Sequence, residues 1–556
     1  MLVVGALVEW TSTGVDPIDG GVAIWEDGVF RFVQPEERVT RVKYAGGFRA
    51  SLQRGLSSLD KTLHDVDVFS FASYGEPRPV NVGHIVEQAP ELQPVRDRIW
   101  LCGSHHELHA LYGFRHSPFE HALIAVLDNE GLVLGVQKSE SPFTSPMERC
   151  SYFLGGPTSV DLLTRDLFGS SDVSLGEAFR RFNYYCGFPS HQFSGKTMAL
   201  AGYGDSGRFS GLSLISTVRD QVHVHLDPDP TKPAESVVAF FAQSGINIAP
   251  PRSGDQPIHR DHIDAAAFVQ REVEEFVIER IAQLAASTQA NAIVLAGGVA
   301  YNCRMVGLIE RRLKLPVFVP PSPGDQGICI GAVHCWLESR GHREHVRATS
   351  YLGGEQRLTE SRLAVEDAFT VVPLGRKPGF YIAEWLKAGR VVAIVEGPSE
   401  CGRRALGHRS LLAYPSEASI LQLRAIKHRE WFRPFGVSIL SSFAEKCFGG
   451  QLPDPFMLRA TILTLGASAA LEHVIHIDRS IRAQAVNDDE SSALAEALHE
   501  LSKSGLEPVV LNTSLNSSGE PLVETADEAY DFFLGSPAVA ALVLVNDGVA
   551  LLRHGD

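Results

Sequence analysis

The sequence predicts an α/β protein of two or more domains, and three features carry that expectation. The chain has 556 residues, more than a single hydrophobic core organises. Two hairpin patterns, each with an aspartate at its turn, open two stretches of similar layout. Further along, NAIVLAGGVAYNCRMVGLIERRLKLPVFVPP reads as strand, glycine turn, helix and strand, the pattern of a βαβ unit.

Taken in order, the first hairpin is GGVAIWEDGVFRFVQ, Gly20 to Gln34, with strands flanking Asp27-Gly28. The second is HALIAVLDNEGLVLGVQ, His121 to Gln137, with strands flanking the turn from Asp128 to Gly131. Strand pairs of this kind, one opening each half, are how the actin and sugar-kinase class of duplicated α/β domains holds nucleotide phosphates. From Asp261 to Ser287, apolar residues recur at helical spacing and predict one long amphipathic helix. The βαβ unit then places Gly297-Gly298 at a strand end, where open sheets bind ligands. After the helix of GICIGAVHCWLESRG the chain turns polar and irregular, which reads as a linker, and a second α/β unit begins near Phe380 with the strand RVVAIVEG. The expected division is therefore 1–345, a linker 346–378, and 379–556.

Composition narrows the class. With 44% hydrophobic and 21% charged residues the chain is neither disordered nor fibrous. A formal charge of −16 argues against a nucleic-acid partner, because phosphate contacts need clustered Lys and Arg. No apolar stretch is long enough for a bilayer, so no membrane partner is expected. MLVVGALVEW lacks a basic leader and meets Glu9 early, so it reads as a buried strand rather than a signal peptide. Eight cysteines without a CxxC pair exclude a zinc ribbon and a disulfide scaffold and point to a reducing cytoplasm.

The chemistry-bearing residues fall in a few short segments. In GSHHELHA, His105 and His109 stand four apart and share one face of a helix, whereas the HExxH pattern of metalloproteases is absent. Asp128 ends the apolar strand LIAVLD, and Asp325 lies in PPSPGDQG just before a helix. Two imidazoles and two carboxylates suit a divalent Fe, Mn or Zn ion with positions open to a phosphate oxygen. Gly297 and Gly298 let backbone approach a phosphate, but no GxxxxGKS occurs, which excludes a standard P-loop.

Near the C-terminus, ECGRRALGHRS and KHREWFRPF carry Arg403, Arg404, Arg409, Lys427, Arg429 and Arg433; on so acidic a chain this cluster fits a compact, multiply charged anion. LNTSLNSSGEPLV follows an apolar strand, so Asn512, Ser514 and Asn516 would emerge at a strand end. Each group, taken alone, also fits a plainer role: solvated histidines, capping aspartates, surface arginines paired with acids, turn-forming amides.

Together HHELHA, GKTMALAGYG, LAGGVAYN, PSPGDQG, ECGRRALGHRS, IKHREWFRPF, HIDRSIRAQAV and LNTSLNSSGEP resemble, in order, the NodU/CmcH family of O-carbamoyltransferases, and PEERVTRVK is similar to an early element of the same family. The resemblance implies a large N-terminal duplicated domain of actin/sugar-kinase (ASKHA) type, similar to tRNA threonylcarbamoyl transferases, and a smaller C-terminal YrdC-like domain. It implies that the C-terminal domain turns ATP, with Mg(II), and carbamoyl phosphate into carbamoyl-adenylate, and that the N-terminal domain passes the carbamoyl group to a hydroxyl. His105, His109, Asp128 and Asp325 would then hold Fe(II) or another divalent ion. Gly297, Gly298 and Asn302 would contact the adenylate. Arg404, Lys427, Arg429, Arg433, Arg482, Asn512, Ser514 and Asn516 would line the pocket for ATP and carbamoyl phosphate, with Lys427 and Arg482 acting in catalysis. His106, beside the metal ligands, is the expected general base.

The expected acceptor is a small-molecule hydroxyl, on a macrolide, ansamycin or aminoglycoside type of metabolite; a homodimer is left open. Two other readings are a threonylcarbamoyl-type tRNA modifier, against which the net acidity speaks, and a nonenzymatic nucleotide-binding regulator. The chain departs from the family pattern at three places. No histidine precedes Asp19 in TSTGVDPIDGG, Pro398 and Arg403 exchange the usual arginine and proline, and Gly202 replaces a proline.

Overall fold

A computed structural model describes residues 1–8, 19–73, 81–129, 131, 146–169, 172–188, 194–218, 221–355, 357–363 and 369–554. The chain is mixed α/β and forms two compact units. The first comprises Gly5–Ser12 and Val68–Ala348; the second comprises Met1–Val4, Thr13–Asp67 and Thr349–Asp556. The early segment Thr13–Asp67 thus clusters with the C-terminal residues.

In the first unit a sheet runs in the order Val317–Phe318, Ile293–Ala296, Ala122–Leu127, Met147–Gly155, Val160–Phe168. Ile293–Ala296 pairs in parallel with both its neighbours, and the last two strands add antiparallel. Ala122–Leu127 is buried at every position, as a central strand covered on both faces must be. Its antiparallel neighbour is Met147–Gly155; the return strand expected after Gly131 lies outside the described residues. The helix His105–Arg115 lays Ala110 and Phe114 on Ile124, Val126 and Val294. The long helix expected from Asp261 runs Arg260–Thr288, begun by His259, whose side chain accepts a hydrogen bond from the Asp261 amide.

Helix Ile328–Ser339 crosses His105–Arg115 at Gly331, where an added Cβ would stand 2.2 Å from the Leu108 carbonyl oxygen. That contact requires glycine, and it fixes the helix that carries His105 and His109. Next to the crossing, His116 and His334 meet with Nε2 atoms 3.1 Å apart, both buried. Burial, with His345 nearby, pushes His116 down to about 3; burial, with His116 and Arg115, holds His334 well below the usual imidazole value. Both enter the fold neutral. Their contribution is therefore fully present above the unfolded value of 6.5 and lost as pH falls below it, because the unfolded chain takes up protons that the folded one excludes. Urea unfolding at pH 7.5 and 5.5 should show this loss, about 1.4 kcal/mol per pH unit for each imidazole. A His334→Gln variant with an undiminished slope would count against the pair.

In the second unit a nine-stranded sheet runs in the order Phe369–Pro373, Val549–Arg553, Ala541–Leu544, Val392–Val395, Arg409–Ala413, Val509–Ser514, Gly436–Leu440, Ser480–Val486, Ala460–Ile462. Alternation divides its core. Ala393, Val395 and Leu411 face a layer that includes Ala526, Tyr530 and Phe533, while Val392, Ile394 and Leu412 face Ile382, Leu386, Leu494 and Leu498. Within 346–378, read as a linker, Phe369–Pro373 is an edge strand of this sheet, paired antiparallel with Val549–Arg553, with Phe369 buried and Val371 exposed. The early hairpin, Gly21–Glu26 and Val29–Pro35, turns through Asp27 at φ 46° and Gly28 at φ 100°, as Asp-Gly predicts. Among the described residues no helix is long and apolar enough to cross a membrane, and all eight cysteines are free.

Candidate functional site

The first site begins at a helix start. Ser104 and Glu107 form a capping box, with the Ser104 amide 3.4 Å from Glu107 Oε2, so His105 opens the helix and His109 follows one turn later. His105 Nε2 lies 3.5 Å from Asp128 Oδ2 and 3.3 Å from Asp325 Oδ1; His109 Nε2 lies 3.0 and 3.3 Å from the same atoms. All four side chains are buried or nearly so, and one ligand atom from each falls within 4.8 Å of the others.

The parallel pairing of Ala122–Leu127 with Ile293–Ala296 brings Asp128 to the same sheet edge as the glycine turn. Burial alone would lower His105 and raise both carboxyls. The ion pairs outweigh it: His105 is raised to about 10, and Asp128 is held well below the carboxylate range, with Asp325 shifted the same way.

The residues fit a divalent cation. Asp128 Oδ2 is buried and has no hydrogen-bond donor in good geometry, although two imidazoles converge on it. Two nitrogen and two carboxylate ligands around one point form a donor set that Fe(II), Mn(II) and Zn(II) all accept.

His106, expected as a general base, is turned away from this point. Its Nδ1 lies 2.7 Å from Ser151 Oγ and 3.6 Å from Glu148 Oε2, both on Met147–Gly155. Burial, then the neighbouring His105, pushes it down to about 3. Helix geometry explains the turn, since consecutive residues project about 100° apart.

Gly297 has φ 88°, and a Cβ there would stand 2.3 Å from the Leu127 carbonyl oxygen, so the turn folds onto the neighbouring strand as only glycine allows. Gly298 lies beside it, with its Cβ position 3.1 Å from Asp128 Oδ1. Asn302 is less available. Its Oδ1 accepts from the Met305 amide and from Gln270 Nε2, and its Nδ2 donates to Gln270 Oε1. It caps the helix Cys303–Leu313 and ties it to Arg260–Thr288.

In the second unit, Lys427 ends the helix Glu417–Lys427 and meets the end of Val509–Ser514. Its Nζ donates to Ser514 O at 2.8 Å, Asn516 O at 2.5 Å and Asn516 Oδ1 at 2.8 Å. Arg429 donates to Pro434 O at 2.9 Å and stacks 4.5 Å from the Phe435 ring centre. Arg482, on Ser480–Val486, brings Nη2 beside Gly436, 3.3 Å from that residue's Cβ position. Lys427 is held well below its ordinary value by burial and then by Arg429, Arg433 and Lys43; Arg429 is lowered by burial, Arg433 and Arg482. Cations gathered this closely disfavour one another, and a bound anion relieves the repulsion.

Arg409, from the arginine-rich motif, and Asn512, from the expected pocket, are both engaged within the fold. Arg409 is fully buried and donates to the carbonyls of Glu524, Glu396 and Gly354. Asn512 is paired on both sides within the sheet, and its Nδ2 donates to Ser438 Oγ at 2.9 Å. Pattern reading missed Lys43, Arg38 and Tyr44. Arg38 donates to the carbonyls of Glu400 and Gly402 at 2.8 Å each and lies 3.6 Å from Glu524, with both side chains buried. The signal was EERVTRVK itself, which the resemblance marks as an early family element without giving Arg38 or Lys43 a role.

The family description Carbamoyltransferase N-terminus matches residues 93–334, and Carbamoyltransferase C-terminus matches residues 383–550. The chain is 27% identical over 523 residues to an uncharacterized protein of Methanocaldococcus jannaschii, covering 92% of this chain and 94% of that one. It is 28% identical over 550 residues to nodulation protein NolNO of Sinorhizobium fredii, covering 93% and 76%. With the 3'-hydroxymethylcephem-O-carbamoyltransferase of Streptomyces clavuligerus it shares 29% identity over 359 residues, 64% of this chain and 63% of that one. Likeness to solved structures is low: full-length HypF in its phosphate- and nucleotide-bound form aligns at 12% identity and a TM-score of 0.34, over 60% of this chain and 55% of that one. Matched in chain order by both halves of one family, and aligned with relatives along nearly its whole length, the chain belongs to the carbamoyltransferases of NodU/CmcH type and is a transferase of the carbamoyl group.

Proposed function

We propose that this carbamoyltransferase is ATP-dependent and acts on a hydroxyl of a small specialised metabolite of macrolide, ansamycin or aminoglycoside type. The observation that carries the reading is the assignment of two constellations to different compact units, a His/Asp cluster in the first and a Lys/Arg cluster in the second. Two sites fit two half-reactions. In the second unit, taken as the YrdC-like part, carbamoyl phosphate and water give carbamate and phosphate, and carbamate attacks ATP to give carbamoyl-adenylate and pyrophosphate. In the first unit, taken as the actin/sugar-kinase type, the acceptor hydroxyl displaces AMP from the carbamoyl carbon.

The residues divide the work by chemistry. Arg404, Lys427, Arg429, Arg433 and Arg482 gather the charge that phosphate oxygens need, while Ser514 and Asn516 hold the Lys427 ammonium in place. His105, His109, Asp128 and Asp325 are placed to hold a divalent cation, for which Fe(II) is the proposed ion. When bound, such a cation supplies positive charge against the phosphate that leaves. Backbone at Gly297 and Gly298 offers close approach to the same group.

Incubation with ATP, Mg(II), carbamoyl phosphate and Fe(II) should release pyrophosphate and yield carbamoyl-adenylate detectable by mass spectrometry. Pyrophosphate release that ignores carbamoyl phosphate but requires threonine and bicarbonate would replace this reading with the threonylcarbamoyl one.

A further inference from the structure

We propose that Asn512 selects the carbamoyl group in the cationic site of the second unit, its buried carboxamide oxygen accepting a hydrogen bond from the carbamoyl nitrogen of carbamoyl phosphate. The inference rests on the proposed function, which assigns that site to ATP and carbamoyl phosphate. Asn512 would then serve the sheet with its nitrogen and the ligand with its oxygen.

A run of hydrogen bonds fixes which way the carboxamide faces. It starts at a carbonyl, which can only accept. Gln484 Nε2 donates to Leu406 O at 2.8 Å, so Oε1 is the end that Gln484 turns to Ser438. Ser438 Oγ donates its one proton to that oxygen at 2.6 Å and must therefore accept from Asn512. The Asn512 atom 2.9 Å from Ser438 Oγ is accordingly Nδ2, which also lies 3.4 Å from Gln484 Oε1. Asn512 Oδ1 is left over. It is buried and accepts no hydrogen bond from any described residue, on a side chain whose residue is 1% exposed. An enclosed acceptor of this kind costs stability until a donor reaches it.

Sheet register places that oxygen at the site. Asn512 stands directly across from Gly436 in an antiparallel pair, so its side chain leaves the face toward which a Cβ on Gly436 would point. Arg482 lies over that position, with Nη2 3.3 Å from it. Two residues further along the strand Val509–Ser514, Ser514 shares the face of Asn512 and meets Lys427 Nζ, through its carbonyl at 2.8 Å and its hydroxyl at 3.4 Å. Asn512 therefore stands between Arg482, reached across Gly436, and Lys427, reached along its own strand.

The ligand group follows from donor and acceptor chemistry. Ionised phosphate oxygens accept hydrogen bonds, so they suit Arg482 and Lys427 and offer nothing to Asn512 Oδ1. Carbamoyl phosphate carries its amino group close to phosphorus, in the order P–O–C–N, whereas the hydroxyls and amino group of ATP stand further from any phosphorus. A ligand of the same shape with a methyl group in place of the amino group would leave the enclosed oxygen without a donor.

The test is calorimetric titration of the full chain with phosphonoacetamide and with acetonylphosphonate, stable phosphonates that differ only in carrying an amino or a methyl group on the carbonyl. In the unaltered chain phosphonoacetamide should bind about 10–100-fold more tightly. Asn512→Leu, of similar size and without the oxygen, should bring its affinity down to that of acetonylphosphonate and leave ATP binding as it was. Asn512→Asp keeps an oxygen in place and should retain the preference, because a ratio of two affinities cancels what the added charge does to the phosphonate they share.

Equal binding of the two phosphonates to the unaltered chain overturns the assignment, and this comparison decides even if Asn512→Leu fails to fold. A preference that survives Asn512→Leu, or a loss in that variant shared equally by both phosphonates and ATP, makes the residue purely structural and overturns it too. If neither phosphonate binds the unaltered chain and carbamoyl phosphate drives no pyrophosphate release, the proposed function falls first; if that release is present and only the preference is missing, Asn512 alone is removed.

Discussion

Arg482→Ala is expected to lower carbamoyl-phosphate-dependent pyrophosphate release by about 10²–10³-fold, the loss typical of removing one donor aimed at developing charge. His105→Ala should leave that release intact and block carbamoyl transfer to the hydroxyl. The contrast follows from placement. Arg482 stands beside Gly436 in the nine-stranded sheet of the second unit, close enough to Arg429 to disfavour its charge, whereas His105 faces Asp128 and Asp325 in the first unit. Metal content is a second readout. His105→Ala should retain less Fe(II) after desalting, and Arg482→Ala should retain as much as the unaltered chain. Equal loss of pyrophosphate release in both variants would remove the two-site reading.

Arg38→Ala is expected to destabilise the second unit by about 3–5 kcal/mol, the usual consequence of leaving a buried charge without its partner. Glu524 would remain at 0% side-chain exposure with Ser399 but without the guanidinium 3.6 Å away, and the carbonyls of Glu400 and Gly402 would lose their donor. Replacing both charges, Arg38→Met with Glu524→Met, should be milder than either single change, because no unpaired charge is then buried. Urea midpoints for the three variants measure this. A double variant as unstable as the sum of the singles would show that packing, rather than the ion pair, sets the loss.

Part of the site was legible because its spacing is local. SHHELHA places two imidazoles one helical turn apart whatever surrounds them, and the capping serine and glutamate mark where the turn begins. Asp27-Gly28 specified its hairpin through the positive φ that both residues accept. The apolar period from Asp261 specified one long helix to within a residue at each end.

Other parts were not legible, since a charged residue looks the same in sequence whether it meets ligand, solvent or a buried carbonyl. Arg409 and Arg404 stand five apart in one motif, yet Arg409 is consumed by backbone carbonyls. Asn512 and Asn516 share another motif, yet only Asn516 reaches Lys427. His106 neighbours two candidate ligands and faces a strand instead.

The sequence by itself determined the family, the α/β alternation and the residue types of both candidate sites, because periodicity and motif spacing act over a few residues. Only the tertiary structure decided that Asp128 and Asp325 converge on the two histidines, and that Arg38 and Tyr44 meet the arginine-rich loop more than 350 residues further along, as the 362-residue separation of Arg38 and Glu400 records. Those partnerships depend on strand order and on the burial of opposite charges across long stretches of chain, and no local pattern encodes either.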